Sequence, residues 1–169
     1  MRGKVLTLVA GLVVCAGAAA AQGPKALGPA VQWVAAQGGA VPSGALVTGF
    51  DERSFLYSCR GSVDNGTQPG KIKPGLSGCL VAYGEDEQNI RSYEVLVAPP
   101  QRWTAAQDGQ VPERAVEAGR TRQNQTMYVC RAVRDNELVP GRLGAGIRGC
   151  DIGHDGQSYT IAIYEVLVR

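Results

Sequence analysis

The sequence predicts an all-β protein in which two tandem repeats of short antiparallel strands pack as one pseudo-twofold symmetric unit. Three observations support this prediction. One block of residues occurs twice at fixed spacing, short β-rich runs alternate with turn residues, and 23 glycines favour many tight turns. Each copy spans about 65 residues, close to the lower limit for a self-sufficient core, so we expect the two copies to fold together.

The repeated block covers residues 59–97 and 130–168. In each copy a proline follows the first cysteine by ten positions, the second cysteine follows that proline by ten, and a tyrosine follows by fourteen more. Matching front ends begin at Trp33 and Trp103. The sequence therefore predicts a first repeat, a proline-containing linker and a second repeat at residues 33–97, 98–102 and 103–169.

The expected strands are apolar or alternating runs bounded by Gly, Pro, Asn and Asp. They lie at residues 45–50, 55–60, 79–83 and 93–97 of the first repeat and at 127–131 and 156–164 of the second. Repeat two carries one extra residue between Gly119 and Tyr128, which predicts a surface hairpin tip. Glu85, Asp86 and Glu87 predict a solvated acidic turn.

The first residues are typical of a secretory signal peptide. A basic head at residues 1–4 precedes a small apolar run, and an Ala-x-Ala cleavage site ends at Ala21. The apolar run is too short for a good membrane span. A lipoprotein signal at Cys15 is the alternative, although Val14 stands where such a signal needs a small residue. We expect a signal peptide at residues 1–21, a loose arm at 22–32, and a secreted or periplasmic protein.

The charge of the processed chain argues against two classes of partner. Removing Arg2 and Lys4 lowers the count of Lys and Arg from 17 to 15, which equals the count of Asp and Glu. Nucleic-acid binding depends on neutralising phosphates, and binding to anionic lipid depends on basic clusters. A neutral chain offers neither, so we expect no nucleic acid and no membrane span.

Four cysteines remain once Cys15 has been removed with the signal. An even set in an exported protein predicts disulfides, and four cysteines allow three pairings. The repeat symmetry favours one bridge in each repeat, Cys59 with Cys79 and Cys130 with Cys150. Bridges between equivalent cysteines of the two repeats, and free buried thiols, remain alternatives.

The repeated residues also carry a family resemblance. In repeat one they are Trp33, Pro42, Asp51, Leu56, Tyr57, Cys59, Arg60, Pro69, Gly70, Lys71, Gly78, Cys79 and residues 93–96. In this order, twice, they resemble the DM-nine repeat over nearly all of the processed chain. The resemblance implies an all-β lectin without enzymatic activity or cofactor. It also implies a preference for mannose-containing glycans on cell surfaces or microbes.

The resemblance implies that Asp51 and Lys71 hold the sugar. The chemistry agrees, because a carboxylate accepts hydrogen bonds from vicinal hydroxyls and an ammonium donates to their oxygens. Repeat two departs from this pattern: Thr121 replaces the carboxylate and Arg142 the lysine, so Glu137 with Arg142 is the weaker candidate. The structural alternative is that Asp51 only caps a turn and Lys71 is solvated.

Other chemistry finds little support in the sequence. His154 is the only histidine, and with four cysteines it gives neither a catalytic Cys–His pair nor zinc-site spacing, so we expect no catalytic residue and no metal. Arg60 and Arg131 are expected to pair with acids such as Glu94 and Glu165.

Two functions remain in view. The first is a secreted, lectin-like, non-enzymatic carbohydrate-binding module that uses Asp51 and Lys71, with Phe50 as a candidate aromatic platform. Two sites or a homodimer would give it avidity. The alternative is an extracellular or envelope module for protein interaction or structure that has lost sugar binding.

Overall fold

The all-β prediction is confirmed in a computed structural model, which describes residues 30–144 and 146–169. The predicted signal peptide, Cys15 and residues 22–29 of the predicted arm lie outside the described residues. The described chain contains antiparallel strands and no helix. The strands are β1 Gln32–Gln37, β2 Val47–Phe50, β3 Phe55–Val63, β4 Gly66–Ile72, β5 Cys79–Tyr83, β6 Asp86–Ile90, β7 Ser92–Val97, β8 Arg102–Gln107, β9 Glu117–Arg120, β10 Thr126–Arg134, β11 Glu137–Gly144, β12 Cys150–His154, β13 Gln157–Ile161 and β14 Ile163–Val168.

The pseudo-twofold arrangement is also confirmed, and the two repeats share one ring of strands. Hydrogen-bonded pairing runs through β2, β3, β4, β9, β10 and β11 and returns to β2. The pairs that join the repeats are β2 with β11, at Phe50 and Leu138, and β4 with β9, at Thr67 and Arg120. The ring therefore closes only when both repeats are present.

The remaining strands extend from this ring in matching pairs. β1 and β7 continue from β3, and β8 and β14 continue from β10. β5 and β6 continue from β4 while β12 and β13 continue from β11, and β6 and β13 pair with each other through Asp86 and Gln157. β1 begins one residue before the predicted repeat, and β8 begins at the last residue of the predicted linker.

Tight turns with matching geometry connect the long central strands. Asp64 and Asn65 join β3 to β4 with φ of 49° and 55°, and Asp135 and Asn136 join β10 to β11 with φ of 49° and 64°. A two-residue hairpin loop with two positive φ angles suits Asn and Asp and matches the twist of the flanking strands. These turns fix the register of the central hairpins.

Three apolar clusters form the core. One surrounds Cys59 in repeat one and one surrounds Cys130 in repeat two. The third draws on both repeats and contains Leu96, Val116, Ala118, Val129 and Leu167. Burial of such side chains is the main favourable contribution to folding, so the third cluster binds the repeats into one unit.

The symmetric disulfide pairing is confirmed. Cys59 is bonded to Cys79 and Cys130 to Cys150, each with 5.9 Å between the Cα atoms. Each bridge closes a loop across the central strands of its own repeat. Disulfides are typical of proteins outside the reducing cytosol, and the two bridges fit an extracellular protein.

Several strands depart from their predicted limits. Pro69, Gly70 and Lys71 lie within β4, a strand that is absent from the runs expected from the sequence. Asp86 and Glu87 are strand residues of β6, so the acidic turn expected at residues 85–87 is wrong. The single run expected at residues 156–164 is divided at Ala162 into β13 and β14.

A Trp, an Arg and a Glu at equivalent positions of the two repeats form two matching stacks. Arg60 pairs with Glu94 and Arg131 with Glu165, each at 2.7 Å, as predicted. The two guanidinium groups lie 4.5 and 3.8 Å from the ring centroids of Trp33 and Trp103. These contacts tie the ends of β1 and β8 to the central strands.

Within the described residues, no helix is long and apolar enough to cross a membrane.

Candidate functional site

The loop that follows β2 places Asp51 at the end of a central strand. The Asp51 Oδ1 atom accepts hydrogen bonds from the backbone N–H groups of Arg53 at 3.0 Å and Ser54 at 2.8 Å. The Oδ2 atom pairs with the ammonium of Lys73. Asp51 therefore closes its own turn and also holds a cation.

These contacts fix the ionisation of Asp51. Burial raises the pKa of its carboxyl, but the hydrogen bonds from Lys73, Arg53 and Ser54 outweigh burial and lower the pKa to about 2. Hydrogen bonds that favour the charged form have this effect generally. The side chain is 10% exposed and carries its charge throughout the physiological range.

Lys71 does not supply the cation at Asp51. Its ammonium lies 3.0 Å from Glu87 Oε1 of β6 and donates to the Gly153 carbonyl oxygen of β12 at 2.5 Å. Lys71 is the penultimate residue of β4, whereas Lys73 follows the end of that strand. Lys73, which the sequence analysis missed, is the member of the pair that reaches Asp51.

Asp51 faces an open groove with aromatic walls. Phe50 is 48% exposed and Phe55 is 61% exposed, which is unusual for side chains of this size. The cavity has a volume of about 500 Å³. We define groove one by its lining residues, which are Phe50, Asp51, Arg53, Ser54, Phe55, Tyr57 and Pro74.

Glu137 lies beside groove one although it belongs to repeat two. Its Oε1 atom accepts from the backbone N–H of Glu52 at 3.5 Å, and its Oε2 atom lies 3.4 Å from His154 Nδ1. His154 Nε2 in turn lies 3.3 Å from Asp135. The pairing of β2 with β11 brings this acid across the repeat boundary to the Asp51 loop.

Glu137 and Arg142 are not brought together. They are five positions apart on β11, and an odd separation along a strand places two side chains on opposite faces. Arg142 instead donates to Asp151 Oδ2 and to Gln68 Oε1, both at 3.0 Å. The predicted pair of repeat two therefore divides between two places in the fold.

A second groove lies at the Thr121 loop, which is the counterpart of the Asp51 loop in repeat two. The Thr121 hydroxyl oxygen accepts from the backbone N–H of Gln125 at 3.2 Å, so it closes the equivalent turn without a charge. A cavity of about 280 Å³ lies beside this loop. We define groove two by its lining residues, which are Asp64, Gln68, Tyr83, Thr121, Arg122, Gln123, Gln125, Met127, Arg142 and Ile147.

The polar groups of groove two come from both repeats. The Tyr83 hydroxyl donates to Asp64 at 2.6 Å, and this hydrogen bond, with burial, raises the pKa of Tyr83. The Arg142 guanidinium lies 4.9 Å from the centroid of the Tyr83 ring. Sequence reasoning missed Gln68 and Asp151 because neither has an equivalent polar residue in the other repeat, where Val139 and Leu80 stand.

No three His, Cys, Asp or Glu side chains in residues 30–144 and 146–169 are grouped so as to hold a metal ion. Both grooves offer charged and neutral hydrogen-bonding groups beside aromatic rings. Groove one contains the Asp51 carboxylate, which is paired with the Lys73 ammonium, whereas groove two contains the Asp64 carboxylate and the guanidinium groups of Arg122 and Arg142.

Comparison with known protein families agrees with the repeated pattern. A family model described as the DM9 repeat matches residues 26–90 and 51–161. The two matches overlap and together span most of the chain, including both grooves. A search of curated proteins finds no match.

Proposed function

The chain belongs to the DM9 repeat family, and we propose that it is an exported, lectin-like module that binds mannose-type glycans in groove one. The family is known for carbohydrate binding, which sets the ligand class. One observation carries the assignment to groove one. There an ionised carboxylate and an ammonium meet beside an exposed aromatic ring.

This combination suits a hexose. The carboxylate of Asp51 would accept hydrogen bonds from two vicinal hydroxyls, and the ammonium of Lys73 would donate to their oxygens. The exposed ring of Phe50 offers an apolar surface for the C–H face of a sugar. We assign the cation to Lys73 because Lys71 is occupied by Glu87 and Gly153.

The same geometry predicts weak binding at a single site. Each sugar hydroxyl that enters the groove leaves water hydrogen bonds behind, so the net gain of each polar contact is about 1 kcal/mol. Asp51 is also already bonded to Lys73, Arg53 and Ser54, which limits its remaining acceptor capacity. Useful avidity would come from a second site or from a homodimer.

We further propose that the protein is not an enzyme. Asp51 is held fully ionised, whereas general acid–base catalysis works best with a pKa near the operating pH. The lone histidine, His154, lies between Asp135 and Glu137 and contacts no nucleophilic side chain among its recorded partners.

A second candidate function is supported by one observation. Both carboxylate oxygens of Asp51 already have protein partners, so the residue could serve the turn alone. In that case the protein would be an extracellular or envelope module for protein interaction or structure, without sugar binding.

Sugar binding by the native protein and by Asp51→Asn separates the two candidates. The substitution keeps the shape of the side chain but removes its charge. We therefore expect the affinity for mannose, measured by retention on mannose-agarose, to fall by at least about tenfold. Glu113→Gln, at an exposed acid outside groove one, is the matched control and should bind as the native protein does.

The possible outcomes lead to different conclusions. Binding by neither the native protein nor the control, with both disulfides intact, would contradict the lectin proposal and favour the structural module. Equal binding by all three proteins would support the lectin function but would show that the sugar does not bind in groove one. Thermal unfolding of each variant shows whether a loss of binding reflects a loss of folding.

A further inference from the structure

We propose that groove two is a second ligand site and that it takes a saccharide bearing a carboxylate, such as a uronic acid. The inference rests on the proposed function in one respect: groove two lies beside the Thr121 loop, which is the counterpart of the Asp51 loop in the sugar groove. Its chemistry is nevertheless different, and that difference determines the ligand class.

The first step concerns the missing protein carboxylate. Groove one contains Asp51, whereas the equivalent loop of groove two carries Thr121, whose hydroxyl closes the turn. The position equivalent to Lys73 is Gly144, so the ammonium is missing as well. Groove two therefore lacks the counterparts of Asp51 and Lys73. The carboxylate that does line it, Asp64, is already engaged by the Tyr83 hydroxyl at 2.6 Å and by Arg122 at 3.6 Å.

The second step concerns the cations that groove two does contain. Arg142 is 11% exposed and lies against the Tyr83 ring, and two of its five N–H donors reach Gln68 and Asp151. Its Nε atom is buried and finds no acceptor among the described residues. The guanidinium thus has N–H donors that no acceptor among the described residues engages.

Arg122 supplies a second guanidinium at the rim. It is 58% exposed, and its recorded acid partner, Asp64, lies 3.6 Å away and is itself partly exposed. Such an exposed pair is weak and is easily exchanged for another anion. Arg120 continues the basic rim, since it lines a neighbouring cavity together with Arg122 and Thr121.

These observations point to one class of ligand. A planar guanidinium recognises a carboxylate through two parallel hydrogen bonds. The carboxylate that groove one takes from Asp51 would in groove two come from the ligand. The exposed amide side chains of Gln123 and Gln125 would then meet the ring hydroxyls.

The test compares two sugars that differ only at one carbon. Glucuronate and glucose are titrated against the native protein at fixed ionic strength, followed by NMR shifts of backbone amides. Glucuronate should shift amides of the Thr121 loop and bind about tenfold more tightly than glucose. Inorganic phosphate, as a third ligand, should bind more weakly than glucuronate.

Two variants assign the effect to groove two. Arg122→Gln should weaken glucuronate binding by about tenfold, whereas Arg91→Gln, an exposed arginine outside the groove, should leave it unchanged. Thr121→Asp should weaken it as well, because the new carboxylate repels the ligand. This variant is expected to fold, since Asp51 closes the equivalent turn.

The outcomes separate this inference from the proposed function. Mannose binding without any preference for glucuronate over glucose would overturn groove two as an acidic-sugar site. It would not affect the proposal that groove one binds mannose. Glucuronate binding that Arg122→Gln does not change, or phosphate binding of equal strength, would also overturn it. The protein could also bind glucuronate, with or without Asp51→Asn, and fail to bind mannose. This result would support the acidic-sugar site in groove two and contradict the mannose site in groove one.

Discussion

Asp51 and Thr121 occupy the same turn in the two repeats and show what a carboxylate adds there. The Thr121 hydroxyl accepts a backbone hydrogen bond and closes its turn, so this structural task needs no charge. Asp51 performs the same task with Oδ1 and keeps Oδ2 for Lys73. The charge at residue 51 therefore exceeds what the turn requires, which is why we attribute it to ligand binding.

A carboxyl titration can show which lysine partners Asp51. Lys73→Gln removes a hydrogen bond and a charge that favour the ionised form, so the pKa of Asp51 should rise from about 2 towards its ordinary value of 3.8. Lys71→Gln should leave that pKa nearly unchanged, because Lys71 pairs with Glu87. The measurement is NMR of the side-chain carboxyl between pH 1.5 and 6, where the Asp51 resonance reports its own titration.

The opposite result would contradict this assignment. If Lys71→Gln raises the pKa of Asp51 and Lys73→Gln does not, then Lys71 is the cation that partners Asp51. The sequence analysis chose Lys71 because the family resemblance implied that this residue holds the sugar. The resemblance could not show that Lys73, two positions later, is the one that reaches Asp51.

At the scale of the element, the repeated Pro-Gly pair is explained by strand packing. Pro69 and Gly70 lie within β4, between β3 and β5, where a proline is normally unfavourable. A Cβ on Gly70 would overlap the Leu80 carbonyl oxygen of β5, and a Cβ on Gly141 would overlap the Asp151 carbonyl oxygen of β12. Glycine recurs because two backbones approach closely. The sequence analysis expects no strand at β4 or β11, because Pro and Gly usually bound strands.

Substitution of Gly141 should accordingly be costly. In Gly141→Ala the new methyl group meets backbone that cannot move without breaking the contact between β11 and β12, so we expect a loss of about 2 to 3 kcal/mol in the free energy of unfolding. Gly61→Ala is the matched comparison, since its Cβ would meet only the Ile90 side chain. Urea unfolding of both variants gives the difference, and an equal cost at the two positions would contradict the close-approach explanation.

At the scale of the whole molecule, the ring of strands explains why the candidate sites mix the two repeats. β2 of repeat one pairs with β11 of repeat two, so Glu137 lies at the Asp51 loop, and Arg142 of repeat two reaches Gln68 of repeat one. The repeated sequence was sufficient to predict an all-β pseudo-twofold unit and its disulfides. It could not predict these contacts across the repeat boundary, because strand pairing between repeats leaves no mark in the spacing within one repeat.

The shared ring also predicts that neither repeat folds alone. Four of the five residues of the third core cluster, and both ring-closing strand pairs, β2 with β11 and β4 with β9, would be missing from a fragment of residues 30–97. Such a fragment exposes unpaired strand edges and is near the lower size limit for a stable core, so its disulfide alone should not give it a native structure.

We expect poorly dispersed amide NMR signals from the oxidised fragment and one cooperative unfolding transition from the whole chain. The transitions followed by circular dichroism and by tryptophan fluorescence should coincide, because Trp33 and Trp103, one from each repeat, both pack against the third core cluster that the repeats share. Two separate transitions, or a well-dispersed spectrum from the fragment, would show that each repeat is an independent domain and that the grooves form by docking of two folded halves.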